Sequence, residues 1–155
     1  MLEVRNKKSM DVSWKKDKSI VTEADVKIQK LLDRALVSFI PGSIVIGEES
    51  FSKEIVEKAK VTRYVWIVDP IDGTDGFATR EGKEYGVAIA LLDNGKPIFS
   101  LYYAPELEIG THKGCLFEAS SDKDGVCLNG ERVGISDKID FENAICDIHS
   151  RAKYK

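Results

Sequence analysis

Two short, wholly apolar runs each lead straight into acid. Ile44-Val45-Ile46 ends at Gly47 and continues as Glu48-Glu49, and Tyr64 to Val68 runs into Asp69. Uninterrupted apolar runs between turn signals read as buried strands. Neighbouring strands of one sheet lie about 4.8 Å apart, so acids at matching strand ends (Glu48, Glu49, Asp69 and Asp72) can share one site. Carboxylates held that close either keep protons or take up a cation. Oxygen donors with no histidine or cysteine beside them suit Mg²⁺ rather than zinc. Taken alone, acids after strands are also ordinary loop residues.

The segment after Asp69 adds chemistry to the acids. Pro70, with a fixed φ and no N–H, makes the turn between Asp69 and Asp72 rigid. It leaves the Ile71 carbonyl as a further oxygen ligand. Gly73 lets the backbone approach a ligand closely. A short helix over Thr74 to Thr79 would aim the N–H groups of Gly73, Thr74 and Asp75 at an anion. Metal ligands and a phosphate cradle side by side are what metal-assisted hydrolysis of a phosphate ester requires.

Around this segment the patterning predicts an α+β fold: a mainly antiparallel sheet flanked by helices. Residues 1 to 20 read as a frayed helix end and an extended stretch. From Thr22, Ala24, Ile28, Leu31, Leu32, Ala35, Leu36 and Phe39 recur at helical spacing, and Pro41-Gly42 stops the helix. Thr22 and Asp25 also fit a capping box at its start. Residues 52 to 60 form a short helix with Ile55, Val56 and Ala59 inward. Tyr85 to Leu92 and Pro97 to Tyr103 make a hairpin across Asn94-Gly95. Leu107 to Thr111 pairs with Cys115 to Ala119, and Gly125 to Val133 turns at a second Asn-Gly. Trp66, Phe77 and Tyr85 read as core, with the last two near enough to wall the site.

Composition sets the outer bounds. The chain of 155 residues, 43% hydrophobic and 32% charged, can form one domain with a real core. Twenty-three basic against 26 acidic residues give a net charge of −3 with no basic tract, which speaks against a nucleic acid polymer as partner. No apolar run reaches the roughly 18 residues of a membrane span, and the N-terminus lacks the apolar core of a signal peptide. The expectation is a soluble cytoplasmic protein with no membrane partner. Cys115, Cys127 and Cys146 are widely spaced and odd in number, so they read as thiols rather than as a disulfide framework or zinc site. His112 and His149 lie away from the acids and read as structural.

Asp69-Pro70-Ile71-Asp72-Gly73-Thr74, preceded by Trp66-Ile67-Val68, by Gly47-Glu48-Glu49-Ser50 and by Val21-Thr22-Glu23-Ala24-Asp25, resembles the inositol monophosphatase superfamily of Mg²⁺-dependent, lithium-sensitive phosphatases. The resemblance spans roughly residues 10 to 150. It implies that Glu48, Asp69 and the main-chain oxygen of Ile71 bind one metal, and that Asp69 bridges to a second held also by Asp72. Two or three Mg²⁺ ions would be bound in all. Asp72, Gly73 and Thr74 would contact a small phosphorylated substrate. Asp25 would hydrogen-bond the Thr74 hydroxyl, and with Glu48 this pair would orient and deprotonate a metal-activated water. Glu49 would stand behind these ligands. A homodimer is compatible with the resemblance.

Two departures bear on function. Members of the superfamily carry a second α/β half with a Trp-Asp motif, whereas Trp14 and Trp66 here are not followed by Asp and the sequence reaches Lys155 where that half would begin. Residues 1–155 thus read as an N-terminal metal- and phosphate-binding domain shortened at both ends. Thr74-Asp75-Gly76-Phe77 is similar to the branch that hydrolyses 3'(2'),5'-bisphosphate nucleotides rather than to the inositol phosphate branch. Sugar phosphate and histidinol phosphate also remain open as substrates. The competing expectation is a non-catalytic half-domain that serves as a binding or assembly unit.

Overall fold

The computed structural model describes residues 2–5, 12–14, 20–80 and 82–134; Cys146 and His149 lie outside them. In chain order the elements are α1 (Leu2–Arg5), β1 (Val12–Trp14), β2 (Ile20–Thr22), α2 (Glu23–Phe39), β3 (Ile44–Gly47), a 3₁₀ turn at Glu48–Ser50, α3 (Lys53–Ala59), β4 (Tyr64–Asp72) and α4 (Thr74–Thr79). Strands β5 (Gly86–Asp93), β6 (Lys96–Ile109), β7 (His112–Ser120), β8 (Val126–Leu128) and β9 (Glu131–Val133) follow. Strands β3 to β9 form one seven-stranded sheet in sequence order. Only β3 and β4 within it are parallel, because α3 crosses between them, while each later strand returns through a turn. This is the α+β arrangement that the patterning predicts.

The turns form where the residues require them. Asn94 and Gly95 both have positive φ, 49° and 77°, as do Asn129 and Gly130 at 51° and 84°, which is the backbone of a tight hairpin turn. Helix α2 starts with Thr22 accepting from Ala24 N at 3.1 Å while Asp25 accepts from Thr22 N at 2.8 Å, so the capping box is present.

Two buried clusters hold the fold. Val45, Trp66, Val68 and Leu91 pack under Leu32, Leu36 and Ile40 of α2 and the loop after it. The Trp66 indole donates to Ser43 Oγ at 3.2 Å, and Ser43 Oγ donates to Ile40 O at 2.7 Å, which fastens the end of α2 to the sheet. A second cluster of Ala24, Ile71, Phe77 and Tyr85 joins the start of α2 to the loop between β4 and β5. There Phe77 and Tyr85 meet edge to face, 5.1 Å between ring centres. Buried Arg5 closes this cluster from the N-terminal side: its guanidinium lies 4.5 Å from the Tyr85 ring centre, donates to Gly82 O at 2.6 Å and pairs with Glu106.

Three expectations need correction. Leu31, Ala35 and Phe39 do not join the core face of α2; Leu31 is 65% and Phe39 78% exposed. Each of the three directly precedes a residue packed on the sheet, Leu32, Leu36 or Ile40, and one residue is about 100° of helical turn, enough to carry the side chain off that face. Strand β4 does not stop at Val68 but continues through Pro70 to Asp72, with its register to β5 shifting between Asp69 and Asp72. That irregularity accommodates a residue with no N–H to give. Pro97 to Tyr103 and the start of the Leu107 to Thr111 segment are one strand, β6, which ends at Ile109 and has a register shift between Ala104 and Glu108; Gly110 and Thr111 form the turn into β7.

Candidate active site

Parallel pairing decides where the acids meet. Gly47 is level with Val68 across β3 and β4, so the next residue of each strand, Glu48 and Asp69, emerges at the same sheet end. Glu48 and Asp72 are both close enough to act on the Asp69 carboxyl by their charge. Burial raises the Asp69 carboxyl first, and repulsion from Glu48 and Asp72 raises it further, to about 7 from an ordinary value of 3.8. Asp69 Oδ1 accepts from Ile71 N at 3.1 Å across Pro70, which fixes the side chain in the turn and opposes part of that rise.

The turn after Asp72 is equally constrained. Gly73 has φ 80°, and a Cβ there would lie 2.6 Å from the carbonyl oxygen of Glu84. Only glycine fits both the conformation and the space. Buried Thr74 follows as the first residue of α4 and donates to Ile71 O at 2.7 Å, with Asp25 Oδ1 at 3.3 Å from the same hydroxyl. The Ile71 carbonyl is therefore not free, as the sequence suggests, but has one lone pair engaged and one remaining. Asp25, 1% exposed, is anchored through its other oxygen by Thr22 N and Thr22 Oγ1 at 2.8 and 2.6 Å. Its capping contacts and its contact with Thr74 thus coexist.

Asp25, Glu48, Asp69, Ile71, Asp72, Gly73 and Thr74 are brought to one end of the sheet. Glu49 lies half-buried in the 3₁₀ turn beside them. His112 does not join them: it begins β7, three strands from β4, and meets the Asn129 amide at 3.3 Å. Cys115 is buried and donates to Leu107 O at 3.4 Å. One site neighbour was not foreseen. Tyr102 of β6 lies close enough to Asp72 and Asp69 that burial first, and then their charges, push its phenol up to about 12. A tyrosine in an alternating strand carries no local signal of that contact.

The donor set suits a hard cation. Among the described residues no group of three or more acidic, histidine or cysteine side chains is arranged to hold an ion. Glu48, Asp69 and the Ile71 carbonyl nonetheless make two carboxylates and a carbonyl, and Mg²⁺ commonly takes few protein ligands and keeps waters. A cation bound at Asp69 would displace the proton of that carboxyl, so apparent Mg²⁺ affinity is expected to fall about tenfold per pH unit below about 7. Calorimetric titrations at pH 5.5, 6.5 and 8 check this. Stability of the metal-free fold runs the other way. The folded pKa lies above the unfolded one, so this group's contribution is present at low pH and is lost as pH rises from about 4 to about 7.

The family profile for inositol monophosphatases matches residues 1–153. The chain belongs to the inositol monophosphatase family. The 3'(2'),5'-bisphosphate nucleotidase CysQ of Escherichia coli (strain K12) is 41% identical over 102 residues, which cover 66% of this chain and 40% of that protein. The extragenic suppressor protein suhB from Bartonella henselae matches in structure with a TM-score of 0.69 at 30% identity, over 88% of this chain and 47% of that one. An IMPase/NADP phosphatase complexed with Mg²⁺ and phosphate matches with a TM-score of 0.64 at 28% identity, over 80% of this chain and 43% of that one. The chain thus spans less than half the length of these family members. Among the described residues, no helix is long and apolar enough to cross a membrane.

Proposed function

We propose that the chain supplies the metal- and phosphate-binding part of a cytoplasmic, Mg²⁺-dependent phosphatase acting on small phosphate monoesters. The observation that carries this reading is the convergence of Glu48, Asp69 and Asp72 beside the Gly73-Thr74 turn. Glu48, Asp69 and the Ile71 oxygen would hold one ion, Asp69 and Asp72 a second, and two or three would be bound in all. Bound Mg²⁺ supplies charge neutralisation at phosphorus and acidifies a water. Glu48 would accept a proton from the attacking water at its carboxylate. Thr74 Oγ1, held by Ile71 O and Asp25, would orient that water. Gly73 N–H and Thr74 N–H, at the positive end of α4, receive phosphate oxygens.

A second reading, a bisphosphate nucleotidase, is favoured by the 41% identity to CysQ and by Thr74-Asp75-Gly76-Phe77. Release of inorganic phosphate from inositol 1-phosphate and from 3'-phosphoadenosine 5'-phosphate, with and without Mg²⁺, tests both. Mg²⁺-dependent release from either supports the phosphatase, and the faster substrate assigns the branch. Metal uptake with no release from any monoester would instead make this chain a binding or assembly unit.

A further inference from the structure

Tyr102 lies inside the candidate site, and nothing in the reading above uses it. Directly opposed residues of an antiparallel pair share a face of the sheet. Asp69 opposes Ala88, Ala88 opposes Tyr102 and Tyr102 opposes Phe117, so these four form one row. Val68 and Leu91, which pack under α2, belong to the other face. One step along the same face, Asp72 opposes Gly86. The Tyr102 ring does not stand straight up over Ala88 but leans across Gly86. A Cβ on Gly86 would lie 2.7 Å from Tyr102 Cζ and 3.0 Å from Cε1. Phe117 backs the ring from the far side, 6.4 Å between centres at 46°. The missing side chain at Gly86 is therefore the space that the Tyr102 ring occupies, and it carries the phenol end toward Asp72, the cross-strand partner of Gly86.

We propose that Tyr102 is a positioning residue for metal binding: by donating to one oxygen of Asp72 across Gly86, it turns the other oxygen toward the ion shared with Asp69. The inference rests on the metal-site reading above and deepens it. Asp72 is solvent-exposed and follows the irregular stretch of β4. An exposed carboxylate left to itself samples several rotamers, and fixing it before the ion arrives removes that ordering cost from the binding step. Partners standing behind metal ligands typically change affinity 10- to 100-fold when removed. Tyr102 is suited to the task because it can donate and its neighbours hold the ring in place, whereas phenylalanine would keep the packing and lose only the donor.

The test is calorimetric titration of Mn²⁺, standing in for Mg²⁺, into the 155-residue chain and into Tyr102→Phe, Asp72→Asn and the double variant. Tyr102→Phe is expected to weaken Mn²⁺ binding about tenfold while its metal-free melting curve stays that of the wild type. In the Asp72→Asn background the same change is expected to add nothing, since the two residues act as one unit. Unchanged affinity in Tyr102→Phe overturns the proposal, as does an equal loss with and without Asp72. A wild-type chain that takes up no Mn²⁺ at millimolar concentration brings down the metal-site reading itself, and this inference with it. A measurement on the unaltered chain stands independent of whether the variants fold: saturating Mg²⁺ is expected to produce a tyrosine band in the near-ultraviolet difference spectrum. Uptake of metal without such a band also overturns the proposal.

Discussion

Asp69→Asn is expected to lower turnover of a phosphate monoester by at least about 10³-fold, equivalent to about 4 kcal/mol of lost transition-state stabilisation. Asp69 is the acid common to both proposed ions, so one substitution removes a negative ligand from each. The same change relieves the metal-free protein. Asp69 is raised to about 7 by burial and by Glu48 and Asp72, and an amide of the same shape carries no charge to repel. The account therefore expects opposite signs from one variant: activity nearly abolished, and a metal-free melting temperature at pH 8 equal to or above that of the wild type. Few purely structural roles produce that pair of results. Turnover at a tenth of the wild-type value would remove Asp69 from the bridging position.

Thr74→Ala is expected to lose about 10²- to 10⁴-fold in kcat, the usual range for assisted proton transfer, and to retain metal binding. The Thr74 hydroxyl donates at 2.7 Å to Ile71 O and lies 3.3 Å from Asp25 Oδ1, so it is held by the loop and by α2 at once. The main chain of Thr74 and Gly73, which carries the proposed phosphate donors, is untouched by the substitution. KM should accordingly move much less than kcat. Asp25→Asn separates two roles. As a partner of Thr74 it should lower kcat into the same range, and as half of the capping box it should cost about 1 kcal/mol of stability. A variant that melts earlier but turns over at the wild-type rate would leave Asp25 as a helix cap alone.

What the sequence conveyed about this site follows from how local the determinants are. Asp69 to Thr74 is contiguous, and each residue limits the backbone by itself: Pro70 through its ring, Gly73 through φ 80°. The meeting of Glu48 with Asp69 needed one further step, the pairing of two apolar strands, which their composition announces. Asp25 was legible because a capping box fixes a carboxylate at a known place on a helix. Determinants that reside in another part of the chain were not legible. That Leu31, Ala35 and Phe39 are exposed depends on which line of α2 the sheet covers, and helical spacing fits both lines. The continuation of β4 through Pro70 depends on the register shift against β5. Tyr102 leans toward Asp72 because Gly86, on a different strand and paired with Asp72, is empty of side chain. Arg5 is far in sequence from its contacts, pairing with Glu106 and covering Tyr85, and no local pattern marks an arginine for burial.

The central claim is that the carboxylates at the ends of β3 and β4 form a cation site. Electron paramagnetic resonance of Mn²⁺ added to the wild-type chain and to Asp69→Asn at pH 8 addresses it without reference to any substrate. The account predicts that the free-ion signal falls as wild-type protein binds Mn²⁺, that excess Mg²⁺ restores it, and that Asp69→Asn leaves it undiminished. An equal loss of signal with both proteins would place the bound ion elsewhere and contradict the site described.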